Sequence, residues 1–418
     1  MNLIKTSILT AISTVIRVIT GFVVNKVMAM YVGPAGYAVV GQLQNFVSII
    51  TTFSNGAITS GVVKYTAEYQ TIEKKQKIFS TSVIISLTCS LIISIFIFSF
   101  RNFLSKLILK DVQYSSVFLV FSLTVFLFAL NTILMSILNG QREIKKYVFV
   151  NISSSIFSLL FTSFLIIKLR LIGALYAIVV NQSVIFFVTL AFVIKSNWFR
   201  FEYFKKGVDR DSFVKLIKYS AMAITSALTV PVSQLLVRNY IGQKLSWTDA
   251  GYWQSIASIS NMYLMLVTTS LSVYYLPRLS EIKDRVELRK EIFSGYKIIM
   301  PVVIVMSTMI FLLRKYVVLI AFNTNFLPVL NLFAFQLIGD VLKIASWLLG
   351  YIMIAKAMTR MFIYTEIAFS ALYIALSIFC VNTFGLVGIT YAYSLNYLIY
   401  LIFMIVIFSK KARLQKQS

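Results

Sequence analysis

Residues 79–100 read FSTSVIISLTCSLIISIFIFSF, a run without one charged side chain, bounded by Lys77 and Arg101. A helix needs about 20 such residues to cross the hydrocarbon core of a bilayer. The run lacks the two-residue alternation of a barrel strand, and a helix satisfies its own backbone hydrogen bonds in lipid. Working outward, comparable runs recur at 6–31, 37–66, 115–138, 147–167, 171–194, 216–241, 250–276, 292–313, 328–355, 361–381 and 386–408. With 79–100 they make twelve expected spans. Composition agrees: of 418 residues 59% are hydrophobic and 13% charged, against about 25% charged in a soluble chain. That hydrophobicity excludes a disordered chain, and two cysteines, Cys89 and Cys380, exclude a disulfide scaffold. The sequence has no histidine, so His metal sites, Ser-His catalysis and His proton relays are excluded. The reading is an all-α polytopic membrane protein. Lys5 precedes a first span too long for a signal peptide, so that helix is expected to be retained.

Net charge is +25, from 39 Lys+Arg against 14 Asp+Glu. In a soluble protein this would suggest nucleic acid; here it reads as loop charge that orients the helices, with no nucleic-acid partner expected. With the N-terminus in the cytoplasm, cytoplasmic termini and loops carry 24 basic residues and the opposite side 8. Both termini are therefore expected in the cytoplasm. Seven basic residues fall within spans or at their rims: Arg17, Lys26, Lys64, Lys218, Arg238, Lys297 and Lys343.

The two halves resemble each other. Leu171, Gly173, Tyr176, Ala177 and Asn181 recur as Leu386, Gly388, Tyr391, Ala392 and Asn396, and Ala35-Gly36-Tyr37 recurs as Ala250-Gly251-Tyr252, always 215 residues on. The expected organisation is a six-helix bundle at 1–195, a polar linker at 196–215 and a second six-helix bundle at 216–418. An even number of helices makes the repeats parallel, about an axis along the membrane normal. Duplicated bundles of this kind suit alternating access.

Several short stretches carry a resemblance. They are Gly33-Pro34-Ala35-Gly36, Gly61-Val62-Val63-Lys64-Tyr65, Gly251-Tyr252-Trp253-Gln254, Ser258-Ile259-Ser260, Ser272-Val273-Tyr274-Tyr275-Leu276-Pro277, Leu337-Ile338-Gly339-Asp340-Val341-Leu342-Lys343 and Ala355-Lys356-Ala357. The chain resembles the Wzx-type O-antigen and enterobacterial-common-antigen translocases, the polysaccharide-transporter branch of the MATE-like flippases. The resemblance is densest from 250 to 357. It implies a two-bundle, twelve-helix fold in the bacterial inner membrane. It also implies flipping of an undecaprenyl-diphosphate-linked oligosaccharide to the periplasmic leaflet. The partners expected are that glycan lipid and membrane lipid, with the binding of other polysaccharide assembly proteins left open by the sequence; no cofactor or metal is expected.

A charge at the bilayer centre costs about 2.5–3.5 kcal/mol on insertion scales and usually faces a cavity or a partner. Arg17 lies mid-span among Val15, Ile16, Val18 and Ile19 and reads as a cavity cation. Lys26, nine residues on, points the opposite way on a straight helix and reads as snorkelling, a weak candidate. Lys64 and Arg278 hold equivalent places in the two halves and could capture a diphosphate, or be ordinary loop charge. Arg238 and Lys297 complete the candidate diphosphate cations. Asp340 and Glu366 are acids inside apolar helices. Asp340 and Lys343 share a helix face at i, i+3 and could pair; alternatively Asp340 takes up a proton that couples to conformational change. Lys343 and Glu366 are further coupling candidates. Pro231 and Pro277 are expected to kink or end their helices.

The sign of the buried charge ranks the functions. A lipid diphosphate needs Arg or Lys to receive it, whereas an antiporter for cationic drugs would place carboxylates in its N-terminal cavity. The N-terminal spans hold Arg17, Lys26 and Lys64, with Glu68 only at a rim. The flippase reading leads, and a MATE-type ion-coupled antiporter is the alternative. A membrane glycosyltransferase would need a large periplasmic loop or an acidic metal motif. A lipid scaffold would leave Arg17 unexplained.

Overall fold

A computed structural model describes residues 3–196, 198–282, 284–356 and 358–414. Ala357 and the side chains of Lys5 and Val273, named above, lie outside the described residues. Among the described residues every regular element is helical. The α-helices are α1 (Leu3–Tyr31), α2 (Gly33–Ser54), α3 (Thr59–Glu68), α4 (Ile72–Leu104), α5 (Ser115–Gly140), α6 (Ile144–Ile194) and α7 (Arg210–Lys244). They continue as α8 (Trp247–Ser270), α9 (Leu276–Glu281), α10 (Arg285–Leu312), α11 (Arg314–Ala321), α12 (Phe333–Ala355), α13 (Thr359–Phe384) and α14 (Gly388–Leu414).

The all-α membrane architecture stands. By length and apolarity alone, eight described segments can cross a bilayer, or nine if α2 and α3 form one bent span. Part of the difference from twelve is fusion. The expected spans 147–167 and 171–194 run on as the single helix α6, interrupted at Arg170 with φ 54 and ψ −131. A Cβ on Gly173 would lie 2.1 Å from the Leu165 carbonyl oxygen. Eight residues of straight helix separate such atoms by about 12 Å, so the chain doubles back at Arg170. The same thing happens 215 residues later. There Gly385 takes φ 64 and ψ −147, and a Cβ on Gly388 would lie 2.0 Å from the Cys380 carbonyl. The repeat read from the sequence thus has a matching hairpin in each half.

Other interruptions have local causes. The expected span 37–66 bends by 46° between α2 and α3, where Gly56 and Ala57 both have positive φ. Pro231 sits inside α7 without ending it. Pro277 opens α9 rather than closing α8, directly after a π-helical turn at residues 271–275.

The chain divides into two units, Met1–Val32 with Val39–Leu235, and Gly33–Ala38 with Leu236–Ser418. In the first, α5 packs on α4, α6 and α3, and Ile58, Val62, Ile78, Phe79, Ile133, Ile137 and Leu216 form a buried core. The serines of the 79–100 run are what allow this. Ser82 and Ser90 return their hydroxyls to carbonyls three residues back, and Ser94 donates to the Ser122 carbonyl at 2.6 Å. Small side chains that satisfy themselves let membrane helices approach closely. In the second unit α12 is central, packed by α8, α9, α10, α13 and α14. Its most apolar stretch is 61% buried, against 17–33% for most other candidate spans.

Candidate functional site

The first unit carries an open, polar-lined cavity of about 360 Å³. From α5 it is lined by Asn131, Thr132, Met135, Ser136 and Asn139, and from α6 by Tyr147, Asn151, Ser154, Gln182 and Ile185. The α5 residues fall at i, i+1, i+4, i+5 and i+8, and Tyr147, Asn151 and Ser154 at i, i+4 and i+7. Each set is one face of a helix. Thr59 and Val63 of α3 and Arg17 of α1 complete the wall.

Arg17 is the one charged residue of this lining, and no carboxylate joins it. Its guanidinium donates to Asn151 Oδ1 at 3.3 Å. No described carboxylate comes within 4.0 Å of it. A guanidinium has five N–H donors, so most remain for a ligand. The amides are fixed by their neighbours. Asn151 Nδ2 donates to the Tyr147 carbonyl at 2.8 Å, and Asn131 Nδ2 donates to Gln182 Oε1 at 3.0 Å. Ser136 and Thr132 return their hydroxyls to carbonyls one turn back. The wall offers one fixed positive charge and a ring of neutral donors and acceptors, a composition suited to phosphate and sugar hydroxyls.

The second unit holds a buried acid. Asp340 has no exposed surface. Its Oδ2 accepts from the Tyr263 hydroxyl at 2.8 Å and its Oδ1 from the Tyr393 hydroxyl at 2.9 Å. Gln336 Nε2 stands 3.5 Å from Oδ1 and donates to the Ser260 hydroxyl at 3.1 Å. Gly339 makes room for this: a Cβ there would be 2.3 Å from the Tyr393 ring. Of the two alternatives the sequence left open for Asp340, the ion pair with Lys343 is not formed: no bridge within 4.0 Å joins the two among the described residues. Lys343 Nζ turns instead over the Trp347 ring, 4.8 Å from its centroid. Position i+3 put the two side chains on one face, but the tyrosine donors occupy the carboxylate.

The remaining candidates scatter. Arg238 is 2% exposed, donates to Gln254 and lies 5.2 Å from the Trp253 ring centroid, within the second unit. Arg278 is engaged by acids, 2.8 Å from Glu287 and 3.6 Å from Glu291. Lys64 is exposed, with Nζ 5.3 Å from the Tyr65 ring centroid. Lys297 is exposed, and Lys26 and Glu366 are half-buried. Among the described residues no cluster of three or more His, Cys, Asp or Glu could hold a metal. The sequence reading singled out Arg17 but missed Asn131, Asn151 and Gln182; their signal was polar amides at helical spacing within apolar runs.

The sequence profile of the polysaccharide biosynthesis protein family matches residues 3–283. The chain belongs to that family. It is 27% identical over 403 residues to the lipid III flippase of Escherichia coli (strain K12), covering 96% of each chain, and equally to that of Shigella flexneri. Solved transporters share the fold. An inward-facing multidrug resistance MATE transporter of the MOP superfamily aligns with TM-score 0.77 at 13% identity, covering 96% of this chain and 99% of that one. The lipid II flippase MurJ, inward closed, aligns with TM-score 0.73 at 18% identity, covering 98% and 87%. This family member is therefore a multi-pass membrane protein with the transporter fold of that superfamily.

Proposed function

We propose that this protein flips an undecaprenyl-diphosphate-linked oligosaccharide across the bacterial inner membrane by alternating access. In the proposed arrangement both termini are cytoplasmic, and the bundles 1–195 and 216–418 are joined by the linker 196–215. The observation that carries the reading is the cavity of the first unit, where Arg17 stands among amides and hydroxyls with no carboxylate in the lining. A cationic drug would be repelled by that charge; a diphosphate is drawn to it and sugars find donors and acceptors around it. The first residue of α3, Thr59, lines the same cavity, and no side chain caps that helix. Its N-terminus adds partial positive charge. The 27% identity to proteins named lipid III flippases supports the same substrate class.

In this reading Arg17 receives the diphosphate and Asn131, Asn151 and Gln182 contact the sugars, while the prenyl tail stays in lipid. Lys64 and Lys297 are assigned to steering the anionic headgroup. Arg238 and Arg278, already engaged by protein groups, hold their own unit together. Asp340 is the proposed coupling group, alternately bare and protonated between its tyrosine donors. Glu366 and Lys343 are assigned to its surroundings. No covalent chemistry is involved.

The test is export of surface glycan in a translocase-null strain carrying variants at normal abundance. Arg17→Ala should abolish export, and Arg17→Lys should retain part of it. Full export with Arg17→Ala would remove this cavity from the mechanism.

A further inference from the structure

The stretch between α6 and α7 joins two candidate membrane spans, and it is not a slack connector. Ser80 of α4 donates to the carbonyls of Phe204 and Gly207, at 3.2 and 2.8 Å. The Asp209 backbone N–H donates to Thr81 Oγ1 at 3.0 Å, and Lys77 stands 3.7 Å from the Asp209 carboxylate. Phe204 stacks on Phe79, with ring centroids 5.8 Å apart, and Trp198 meets the same ring edge-on at 5.7 Å. At its start, Ser196 accepts from Lys146 Nζ at 2.8 Å and donates to Glu143 at 3.2 Å.

Such anchoring fixes what the segment displays. Phe201 is 62% exposed and Val208 55% exposed. Around them Arg200, Lys205 and Lys206 are all exposed. Among the described residues none of these three cations has an ion pair. The acids nearby are Glu202, which is exposed, and Asp209, already bound by Ser212 and Lys77. Apolar tips between unpaired cations, at the end of membrane helices, match the boundary between headgroups and acyl chains. Loop charge alone would orient the helices but would not need Phe201 held outward.

We propose that residues 198–208 form a preformed binding ledge for anionic phospholipid, with Arg200, Lys205 and Lys206 on the headgroup phosphate and Phe201 among the upper acyl carbons. The ledge lies on the first unit and is independent of the transport cavity.

Native mass spectrometry of the purified full-length protein, titrated with phosphatidylglycerol or phosphatidylcholine, tests this. The unaltered protein should retain phosphatidylglycerol preferentially, and salt should weaken that retention. At about fivefold per surface cation, Arg200→Gln/Lys205→Gln/Lys206→Gln should weaken phosphatidylglycerol binding by about a hundredfold, leaving phosphatidylcholine unchanged. Phe201→Ser should weaken both lipids. All four side chains are exposed, so the thermal midpoint in detergent alone should not move. Equal retention of the two lipids by the unaltered protein would overturn the proposal. So would undiminished phosphatidylglycerol binding by the triple variant, or displacement of the lipid by inorganic phosphate at equal ionic strength.

Discussion

Arg170 and Gly385 occupy the same turn in the two halves, and only one of them is a glycine. Arg170 has φ 54 and ψ −131, and Gly385 has φ 64 and ψ −147. That region is open essentially to glycine alone, and other residues held there cost about 1–3 kcal/mol. Nothing lies within 4 Å of a Cβ built on Gly385, and Arg170 is exposed, so in both places the cost is backbone strain without steric complication. Arg170 recovers part of it by setting its guanidinium 4.7 Å from the Tyr31 ring centroid, a contact that contributes about 0.5–1 kcal/mol at exposed sites.

The comparison that isolates the strain is Arg170→Gly against Arg170→Ala, since both lose the ring contact and only alanine keeps the strain. Glycine gives back about 0.4–1 kcal/mol through the freer unfolded chain. Arg170→Gly should then be more stable than Arg170→Ala by about 1 kcal/mol, and Gly385→Ala less stable than the parent by a similar amount. For a chain of 418 residues each is about 1 °C in the midpoint of a thermal melt, measured on detergent-purified protein at one scan rate. Equal midpoints for Arg170→Gly and Arg170→Ala, or a neutral Gly385→Ala, would refute the argument from backbone strain.

Two further outcomes follow from the polar groups. Asp340→Ala takes the acceptor from the Tyr393 hydroxyl, at about 1–3 kcal/mol, and leaves Tyr263 only its bond with Ser307 at 3.1 Å, so protein abundance should fall; Lys343→Met, which breaks no ion pair to Asp340, should leave it unchanged. Asp340→Asn should accumulate normally yet lose export if the carboxylate must release and take up a proton, and Asp340→Asn/Lys343→Met should not recover it; normal export in Asp340→Asn would end the coupling role. At the start of α7, hydrogen bonds from the Ser212 backbone N–H and hydroxyl hold the Asp209 carboxyl below its usual range. A depressed folded value stabilises above the unfolded pKa, about 3.9, and is lost as pH falls through the folded value. Protease protection of residues 198–209 should therefore be flat from pH 7 to 5 and decline only below about pH 4. Asp209→Ala should weaken it at every pH, by about 1 kcal/mol of lost helix cap.

The fold was legible because lipid allows few solutions. Apolar length alone forces helices, and the 215-residue offset reappears as the hairpins at Arg170 and Gly385. What apolar length cannot report is where a helix breaks. The bend at Gly56-Ala57 and the fused turn in α6 depend on single residues at positive φ, and hydropathy passes over both. The site was legible in part, for a related reason. A charge within a span must be accounted for, so Arg17, Arg238 and Asp340 announce themselves, but their accounts differ and the sequence carries no sign of which applies. Arg238 is answered by Gln254 and Trp253, and Asp340 by two tyrosines 77 and 53 residues away.

Arg17 is the residue among these whose account stays open. A single amide oxygen at 3.3 Å does not offset the placement of a guanidinium in an apolar helix. Every other wall of its cavity is neutral, although a carboxylate at Asn131, Asn151 or Gln182 would have supplied a counter-charge by exchanging amide for acid. A protein that needed Arg17 only for structure would gain from that exchange. One that must admit an anion and let it go again would lose, because an internal carboxylate competes for the guanidinium and repels the diphosphate. The neutral amides keep the exposed Arg17 charge available, and for that reason the cavity, rather than the buried Arg238, is where we propose the headgroup binds.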